Sequence, residues 1–301
     1  MKALGTVKMS TQQSFLGKYC VHGQSGIDIS DLNFFADGTI ASMVDLNDCG
    51  PNVDHCTDSY NPGIEAALTQ DGSQTFGQLL RIDETIAALQ NPLSETIAEL
   101  KYINPLLDVQ YIDAADFDAN ALVSNSIHVV RCSRPGDDLN MGGLANLNNQ
   151  GGGNDSGADT IAQTITKTGV VDVALGCDFT FDSTIHYEDA TFATTSTTRQ
   201  TVSGSAGVVL GRDDNCADGG EVAIITKGDV RLAAQMQAYD VEMIVAGDVG
   251  LASLGNNGDS IHQGTTILAG GDINVTTQHT FSACNETETT LDAKFVLRYV
   301  R

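Results

Sequence analysis

Apolar and polar positions follow one repeated phrase in the last third of the chain. Each copy holds an apolar run, a Gly-Asp pair and a short segment in which apolar residues alternate with polar ones. The copies are Ile224–Leu232, Met243–Leu251 and Ile267–Val275, and their Gly-Asp pairs are 19 and 24 residues apart. Repeats of this length cannot each bury a core, so they are typical of a solenoid in which successive units stack.

The phrase predicts a strand, a bend at Gly-Asp and a second strand. This is what one coil of a parallel β-helix requires, because glycine permits a tight corner and β-branched residues face inward. We therefore predict a mainly β fold, a right-handed parallel β-helix with a small α-helical insertion. Asp229, Asp248 and Asp272 are expected to stack in a column along one corner.

The same alternation extends beyond the repeats. Val7 with Met9, and Ile27 with Ile29, predict coils over residues 1–54. Coils resume at Ile127–Arg131 and are predicted over residues 108–301, with a Gly/Asn-rich surface loop at 133–160 and a terminal strand at Phe295–Tyr299.

Residues 55–107 carry a helical pattern instead. A short helix is predicted at Ile64–Leu68, and apolar residues keep helical spacing within Gln74–Gln90. A third helix is expected after Ser94, before Asn104-Pro105 closes the segment. We predict that this insertion packs on one face or end of the solenoid through its amphipathic side.

Composition supports a turn-rich β protein and excludes one class of partner. The chain has 31 glycines and no tryptophan. Its net charge of −24, from 39 acidic and 15 basic residues, excludes nucleic acid, because phosphate binding needs a positive surface. The acidity is explained either by solubility in a salty or extracellular medium or by bound divalent cations, calcium above all.

Hydropathy predicts no membrane span in this chain, because no run approaches the ~18–20 apolar residues that a span needs. Met1–Gly5 also lacks the apolar core of a signal peptide. We expect a soluble chain, which leaves open that it is a piece of a longer exported protein.

Seven cysteines, at 20, 49, 56, 132, 177, 216 and 284, are scattered without a Cys-x-x-Cys pair. This pattern predicts disulfides in an oxidising, extracytoplasmic location: the periplasm, the cell surface or the medium. Cys49 and Cys56 flank a turn-prone loop and are the pair expected first. The odd number leaves one thiol free or intermolecular.

Two acidic groups are candidates for a metal site. The aspartate column could hold calcium with Lys227 and Arg231 nearby, but we predict instead that each aspartate bonds the backbone of its own corner. Gly211–Gly220 could be a calcium loop from Asp214, yet Cys216 would then occupy a position that needs oxygen. An acidic turn anchored by a disulfide is predicted there.

No other pattern indicates catalysis. The six histidines (22, 55, 128, 186, 262 and 279) show no ligand spacing, and neither a Gly-x-Ser-x-Gly elbow nor a phosphate loop occurs. Asn274 and Asn285 begin formal glycosylation sequons. We predict no catalytic residue, no cofactor-binding residue, no metal ligand and no enzyme activity.

Several phrases, taken in their order, resemble the soluble C-terminal part of TadG-like proteins of tight-adherence (Flp-type) pilus assembly systems. They are Tyr19–Gln24 (YCVHGQ), Ala41–Leu46 (ASMVDL), Asn61–Leu68 (NPGIEAAL), Arg81–Gln90 (RIDETIAALQ), Gly211–Gly220 and Ile244–Val249 (IVAGDV). The resemblance implies an envelope protein that supports pilus assembly without chemistry of its own. It also implies a membrane-spanning N-terminal segment, which this chain lacks, and it transfers no catalytic residue.

The expected function is therefore a non-catalytic structural or adhesion component of the bacterial cell envelope, in contact with other pilus or envelope proteins. One alternative is a carbohydrate-binding or carbohydrate-cleaving β-helix of the tailspike type. Another is an extracellular scaffold that self-assembles as a homo-oligomer by stacking its coils end to end.

Overall fold

The computed structural model describes residues 1–9, 13–16, 20–23, 25–29, 34–35, 40–43, 68–70, 82–91, 93–94, 98, 101–102, 105, 107–123, 125–135, 137–141, 165–181, 185–202, 208–217, 220–232, 236–252 and 260–284. In these parts the chain is mainly β and its paired strands are parallel, in a solenoid-like arrangement. Across the same ranges, every helix is too short or too polar to cross a membrane.

The strands follow one another with few helical interruptions. In chain order they are β1 (Lys2–Ala3), β2 (Thr6–Met9), β3 (Gln13–Leu16), β4 (Cys20–Gly23), β5 (Gly26–Ile29), β6 (Phe34–Phe35), β7 (Ile40–Met43), β8 (Leu68–Gln70), β9 (Asp108–Asp113), β10 (Ser126–Arg131), β11 (Asp138–Asn140), β12 (Ile165–Leu175), β13 (Asp178–Phe181), β14 (Ile185–Thr194), β15 (Gln200–Val202), β16 (Val208–Leu210), β17 (Val222–Thr226), β18 (Val230–Leu232), β19 (Met236–Tyr239), β20 (Val241–Val245), β21 (Val249–Leu251), β22 (Ser260–Gln263), β23 (Thr266–Ala269), β24 (Ile273–Val275) and β25 (His279–Ser282). The helix α1 (Ile82–Gln90) separates β8 from β9.

Three parallel stacks of strands are formed. The first stack runs β9, β10, β12, β14, β17, β20, β23, β1, β4, β7, β8. The second runs β12, β14, β16, β19, β22, β25, β3, β6. The third runs β11, β13, β15, β18, β21, β24, β2, β5. Because β12 and β14 extend through the first two stacks, those form one 17-stranded sheet beside an 8-stranded one.

Each coil places one strand in each stack, as β17–β18–β19, β20–β21–β22 and β23–β24–β25 do. The Gly-Asp corner joins the first stack to the third. A second corner, which we call the acidic corner after Asp189, Glu221 and Asp240, joins the second stack to the next coil. The loop corner joins the third stack to the second. It holds three residues between β18 and β19 but eight between β21 and β22, so the difference between the 19- and 24-residue steps arises there.

The stacking order differs from the chain order. The coil β23–β24–β25 lies against β1–β2–β3, the first coil of the chain, in all three stacks. Strands β4, β5 and β7 continue beyond that first coil. We call this contact between the first coil and β23–β25 the joint. The two ends of the described chain therefore meet inside the stack, between coils that are not consecutive in sequence.

The joint preserves the register of the solenoid. Gln263 pairs with Ser282 and Leu268 pairs with Lys2. Counting along both strands, Cys284 aligns with Thr265 and Met1 aligns with Ile267. In the aligned coil only Thr266 separates Thr265 from Ile267, so the gap between Cys284 and Met1 has the length of one residue.

The interior is filled by apolar side chains from all three stacks. Val230, Val249, Ile273 and Val7 form one buried column that crosses the joint without interruption. Burial of each such side chain contributes about 1.5–3 kcal/mol. Beyond β9, two 3₁₀ turns (Ala114–Asp116 and Ala119–Ala121) carry Ala119 and Leu122 into the same core, and Phe117 packs beside them, so they cover that end of the interior.

Helix α1 lies on the outer face of the first stack. Its buried residues Ile82, Ile86 and Leu89 recur at helical spacing and belong to one apolar cluster with outward-facing residues of the first stack, where the helix contacts β12. These residues are Ile127, Val129, Ala193, Ile225, Ile244 and Leu268, with Leu4, Leu107 and Val109 partly buried at the margin. The amphipathic face of the helix thus packs on its own sheet.

Two segments differ from the local pattern expected of them. Strand β8 lies within 55–107, the range predicted as helical, and Leu68 begins that strand because it pairs along β7. Strand β11 lies within 133–160, predicted as a loop, because Leu139 is buried in the core. The predicted elements at Ile64–Ala67, at residues 142–160 and at Phe295–Tyr299 lie outside the described residues.

Candidate functional site

The Gly-Asp corner carries a ladder of carboxylates, which we call the aspartate ladder: Asp229, Asp248 and Asp272. Asp229 Oδ1 accepts a hydrogen bond from the backbone N–H of Asp248 at 3.0 Å. Asp248 Oδ1 accepts one from the N–H of Asp272 at 2.8 Å, and Asp272 Oδ1 accepts one from Thr6 at 2.8 Å. Each carboxylate therefore binds the backbone of the adjacent coil.

This geometry confirms one expectation and corrects another. The aspartates do stack in a column, but each bonds the next coil rather than its own corner. The glycine before each aspartate is required for space, since a Cβ on Gly247 would overlap Asp229 Oδ1, and a Cβ on Gly271 would overlap Asp248 Oδ1. The carboxylate of one coil thus occupies the place where the next coil would carry a side chain.

The ladder ends at a lysine. Lys8 Nζ lies 2.9 Å from Asp272 Oδ2, on the far side of the joint. The hydrogen bond from the Thr6 backbone, then that from Lys8, lowers the pKa of Asp272, and the same carboxylate raises the pKa of Lys8. Lys227 and Arg231, the cations expected near the column, both belong to the coil of Asp229. Lys8, which bonds Asp272, was not among the expected cations.

The acidic corner is different in character. Asp189, Glu221, Asp240 and Gly264 occupy equivalent positions in four successive coils. Asp189, Asp240 and Gly264 have φ of 50°, 48° and 66°, the left-handed conformation that a tight corner needs. Sequence reasoning missed this corner because no repeated residue pair marks it.

Two carboxylates at the acidic corner, Asp189 and Glu242, are shifted toward the protonated form. Burial, then the charge of Glu221, raises the pKa of Asp189 to about 6, while Arg212 opposes the shift. Burial, then the charge of Asp240, raises the pKa of Glu242 to about 7. Arg212 Nε lies 3.6 Å from Glu188 and 3.4 Å from Asp214, so one guanidinium faces several carboxylates.

The turn beside this corner is anchored by a disulfide, as predicted. Cys216 is bonded to Cys284, which follows β25, and a Cβ on Gly264 would overlap both sulfur atoms. Asp214 Oδ1 accepts a hydrogen bond from the N–H of Ala217 at 3.0 Å, which closes the turn. The bridge therefore ties the turn before β17 to the end of the coil at the joint, past the corners that carry Asp240 and Gly264.

A second disulfide joins Cys132, after β10, to Cys177, before β13. It links two adjacent coils near the end covered by the 3₁₀ turns. The pair expected first, Cys49 with Cys56, lies outside the described residues.

Two histidines are paired inside the coils next to the joint. His262 Nε2 lies 2.9 Å from His279 Nδ1, and the His262 ring stacks on Phe281 at 4.6 Å. His262 Nδ1 has no hydrogen-bond partner within the described structure. Burial, then the neighbouring imidazole, lowers the pKa of His262, and burial lowers the pKa of His279 to about 4. The remaining histidines do not join this pair in the described ranges.

A further polar group is used for coil stacking. Asp178 accepts hydrogen bonds from the Thr198 hydroxyl and, at 2.7 Å, from Gln200 Nε2. Gln200 Oε1 in turn accepts the N–H of Phe179 at 2.6 Å. These buried groups satisfy one another between adjacent coils, which is how a polar group is accommodated in a core.

The arrangement as a whole binds coil to coil. In the ranges that the structure describes, no three His, Cys, Asp or Glu side chains are placed to hold a metal ion. The sequence signal for the joint is Gly5–Met9 (GTVKM), which matches the pattern of Gly247–Leu251 (GDVGL) with threonine in place of aspartate. That single change concealed a fourth copy of the repeat.

Comparison with known proteins gives a family match over nearly the whole chain. The model of a domain of unknown function (DUF7867) matches residues 1–285. No curated protein and no solved structure matches the chain.

Proposed function

The chain belongs to the DUF7867 family, a domain of unknown function, and we propose that it is a non-catalytic structural component of the bacterial cell envelope. The observation that carries the proposal is that the corner aspartates are engaged in holding one coil to the next. Asp229, Asp248 and Asp272 each bond the backbone of a neighbouring coil. Charged groups used in this way rigidify a stack of coils.

An extracytoplasmic location is part of the proposal. Cys132–Cys177 and Cys216–Cys284 each join different coils, and disulfides of this kind persist in oxidising compartments. We take the chain to be a right-handed parallel β-helix that contacts other pilus or envelope proteins. The TadG-like phrases are the basis for naming the pilus.

The location is tested by trapping thiols in the cells that make the protein. Alkylation of denatured, unreduced chains should leave Cys132, Cys177, Cys216 and Cys284 unmodified. The same chain produced in a reducing cytoplasm is the control, and it should be alkylated at all four. Full alkylation in the source cells would contradict the proposed location.

The structural role is tested by deleting the gene. We expect loss of surface filaments or of surface attachment, restored by the wild-type gene. A Cys216→Ser/Cys284→Ser chain should restore them poorly, because the coil at the joint is then no longer tied to the body. Normal filaments and attachment in the deletion strain would contradict the role, and so would turnover of a polysaccharide by the purified chain.

A further inference from the structure

The joint uses the same bonds as the contacts between covalently consecutive coils. Gly5 N–H donates to Gly271 O at 3.0 Å, and Gly271 N–H donates to Gly247 O at 3.0 Å. The bond from Thr6 N–H to Asp272 Oδ1 has the length of that from Asp272 N–H to Asp248 Oδ1, 2.8 Å. The edge β23–β24–β25 therefore recognises residues 2–16 by backbone geometry and by one carboxylate.

Recognition of this kind does not depend on which chain supplies the coil. The first coil is connected to the rest of the stack only through β4–β8 and the long segment that contains α1, not across the joint itself. The first coil of a second copy presents the same edge and the same Lys8. A contact that is identical within and between copies is the condition for exchange of an element between protomers.

We propose that the joint is an exchange interface, at which the N-terminal coils of one copy stack on β23–β25 of another. This deepens the proposed function by naming a second copy of the chain as partner. Within one chain the connecting segment gives the joint a high effective concentration, so exchange should increase as protein concentration rises. Each exchange extends the stack of coils from one copy into the next.

A pair of single-cysteine variants tests the exchange. Lys8 and Asn274 are paired on the outer face of the third stack, and adjacent strands lie about 4.8 Å apart, within the range that a disulfide spans. Lys8→Cys and Asn274→Cys chains are purified separately, mixed over a range of concentrations and oxidised. We expect a covalent heterodimer whose yield rises with concentration, measured as intact mass without reductant.

The matched control uses Arg231→Cys and Gly250→Cys, which are paired in the same outer row but lie on covalently consecutive coils. This pair reports cross-links that arise from random collision and from the native cysteines. A heterodimer yield from Lys8→Cys and Asn274→Cys no higher than that of the control pair, at every concentration, would overturn the proposal.

The double variant Lys8→Cys/Asn274→Cys provides a second measurement. At low concentration it should form the bond within one chain and keep the mass of a monomer. If it forms no bond at all, the joint itself is absent and the proposal fails at its first step. These outcomes are independent of thiol trapping in cells, so the exchange and the proposed envelope role can fail separately.

Discussion

At the Gly-Asp corner carboxylates hold neighbouring coils together, whereas at the acidic corner they lie beside other carboxylates. Asp248 binds the N–H of the next coil, and the glycine before it leaves room for the carboxylate of the previous coil. Asp240 instead holds the left-handed backbone conformation of its corner, and its charge adds to the burial that raises the pKa of Glu242. The same residue types therefore have opposite electrostatic consequences at two corners of one coil.

Gly247 and Gly264, one at each corner, are required for different reasons. At Gly247 the requirement is space, because the Asp229 side chain lies where a Cβ would be. At Gly264 the requirement includes the backbone angle, with φ at 66°. Composition alone does not distinguish these two roles, although their response to mutation should.

The largest expected effect is that of Gly247→Ala. The added Cβ overlaps Asp229 Oδ1 and meets the Gly228 carbonyl, so we expect a loss of about 1–3 kcal/mol in the free energy of unfolding. Asp229→Ala removes the overlapping atom. The double variant should therefore lose less than the sum of the two single variants, as measured by urea unfolding.

Gly250→Ala is the matched control for that experiment. Gly250 lies in β21 of the same coil, and the nearest atom to its added Cβ is Val230 O at 4.0 Å. We expect no loss, because nothing is displaced. Strict additivity of Gly247→Ala and Asp229→Ala would show that the glycine serves a purpose other than space for the carboxylate.

The second expected effect separates the aspartates of the two corners. Asp248→Ala removes the acceptor of the Asp272 N–H and should cost about 1 kcal/mol in the free energy of unfolding. Asp240→Gly relieves a left-handed φ of 48° and should range from no change to a gain of about 1 kcal/mol. Equal losses in both variants, measured by urea unfolding, would contradict the distinction between the corners.

A third effect concerns pH at the acidic corner. The pKa of Glu242 is raised to about 7, so the folded chain holds a proton that the unfolded chain releases near its ordinary value. The stability that this group contributes is present at low pH and is lost as pH rises toward 7. Glu242→Gln should therefore unfold at a higher temperature than wild type above about pH 7, and at nearly the same temperature at about pH 4, below the ordinary pKa of a glutamate.

The smallest expected effect has the opposite sign, at the Gly-Asp corner. The pKa of Asp272 is lowered by its bonds from Thr6 and Lys8, so its contribution is present at neutral pH and is lost on acidification toward that lowered pKa. Because the ion pair with Lys8 is largely exposed, we expect only about 0.2–1 kcal/mol, reduced further by salt. Asp272→Asn should flatten the acid side of the stability profile, and an unchanged profile would show that Asp272 does not stabilise the joint.

Much of the fold was predictable where a local pattern carries the information. The Gly-Asp pairs at 228, 247 and 271 predicted the corner and the column, and alternation at Val7 and Met9 predicted β2. The mainly β, parallel, solenoid-like arrangement is confirmed. Cys216 in a polar turn predicted the anchoring disulfide, but its partner Cys284 is set by coil stacking, which no local spacing encodes.

There is a physical reason why the joint was not predicted from the sequence. A ladder needs a carboxylate on every coil except the last, where an N–H donor is sufficient. Thr6 supplies that donor, so the fourth corner carries no aspartate. The acidic corner was not predicted because Asp189 and Asp240 share a backbone conformation, but the residues beside them in the sequence differ.

The loop corner sets where this architecture tolerates added length. Five extra residues between β21 and β22 leave the pairing of Leu251 with Leu232 and of Ile261 with Gln237 intact. A peptide grafted between Ala252 and Ser260 should accordingly leave the strands on either side of it with their partners. The Gly-Asp corner offers no such freedom, because an insertion there would displace the carboxylate that binds the next coil.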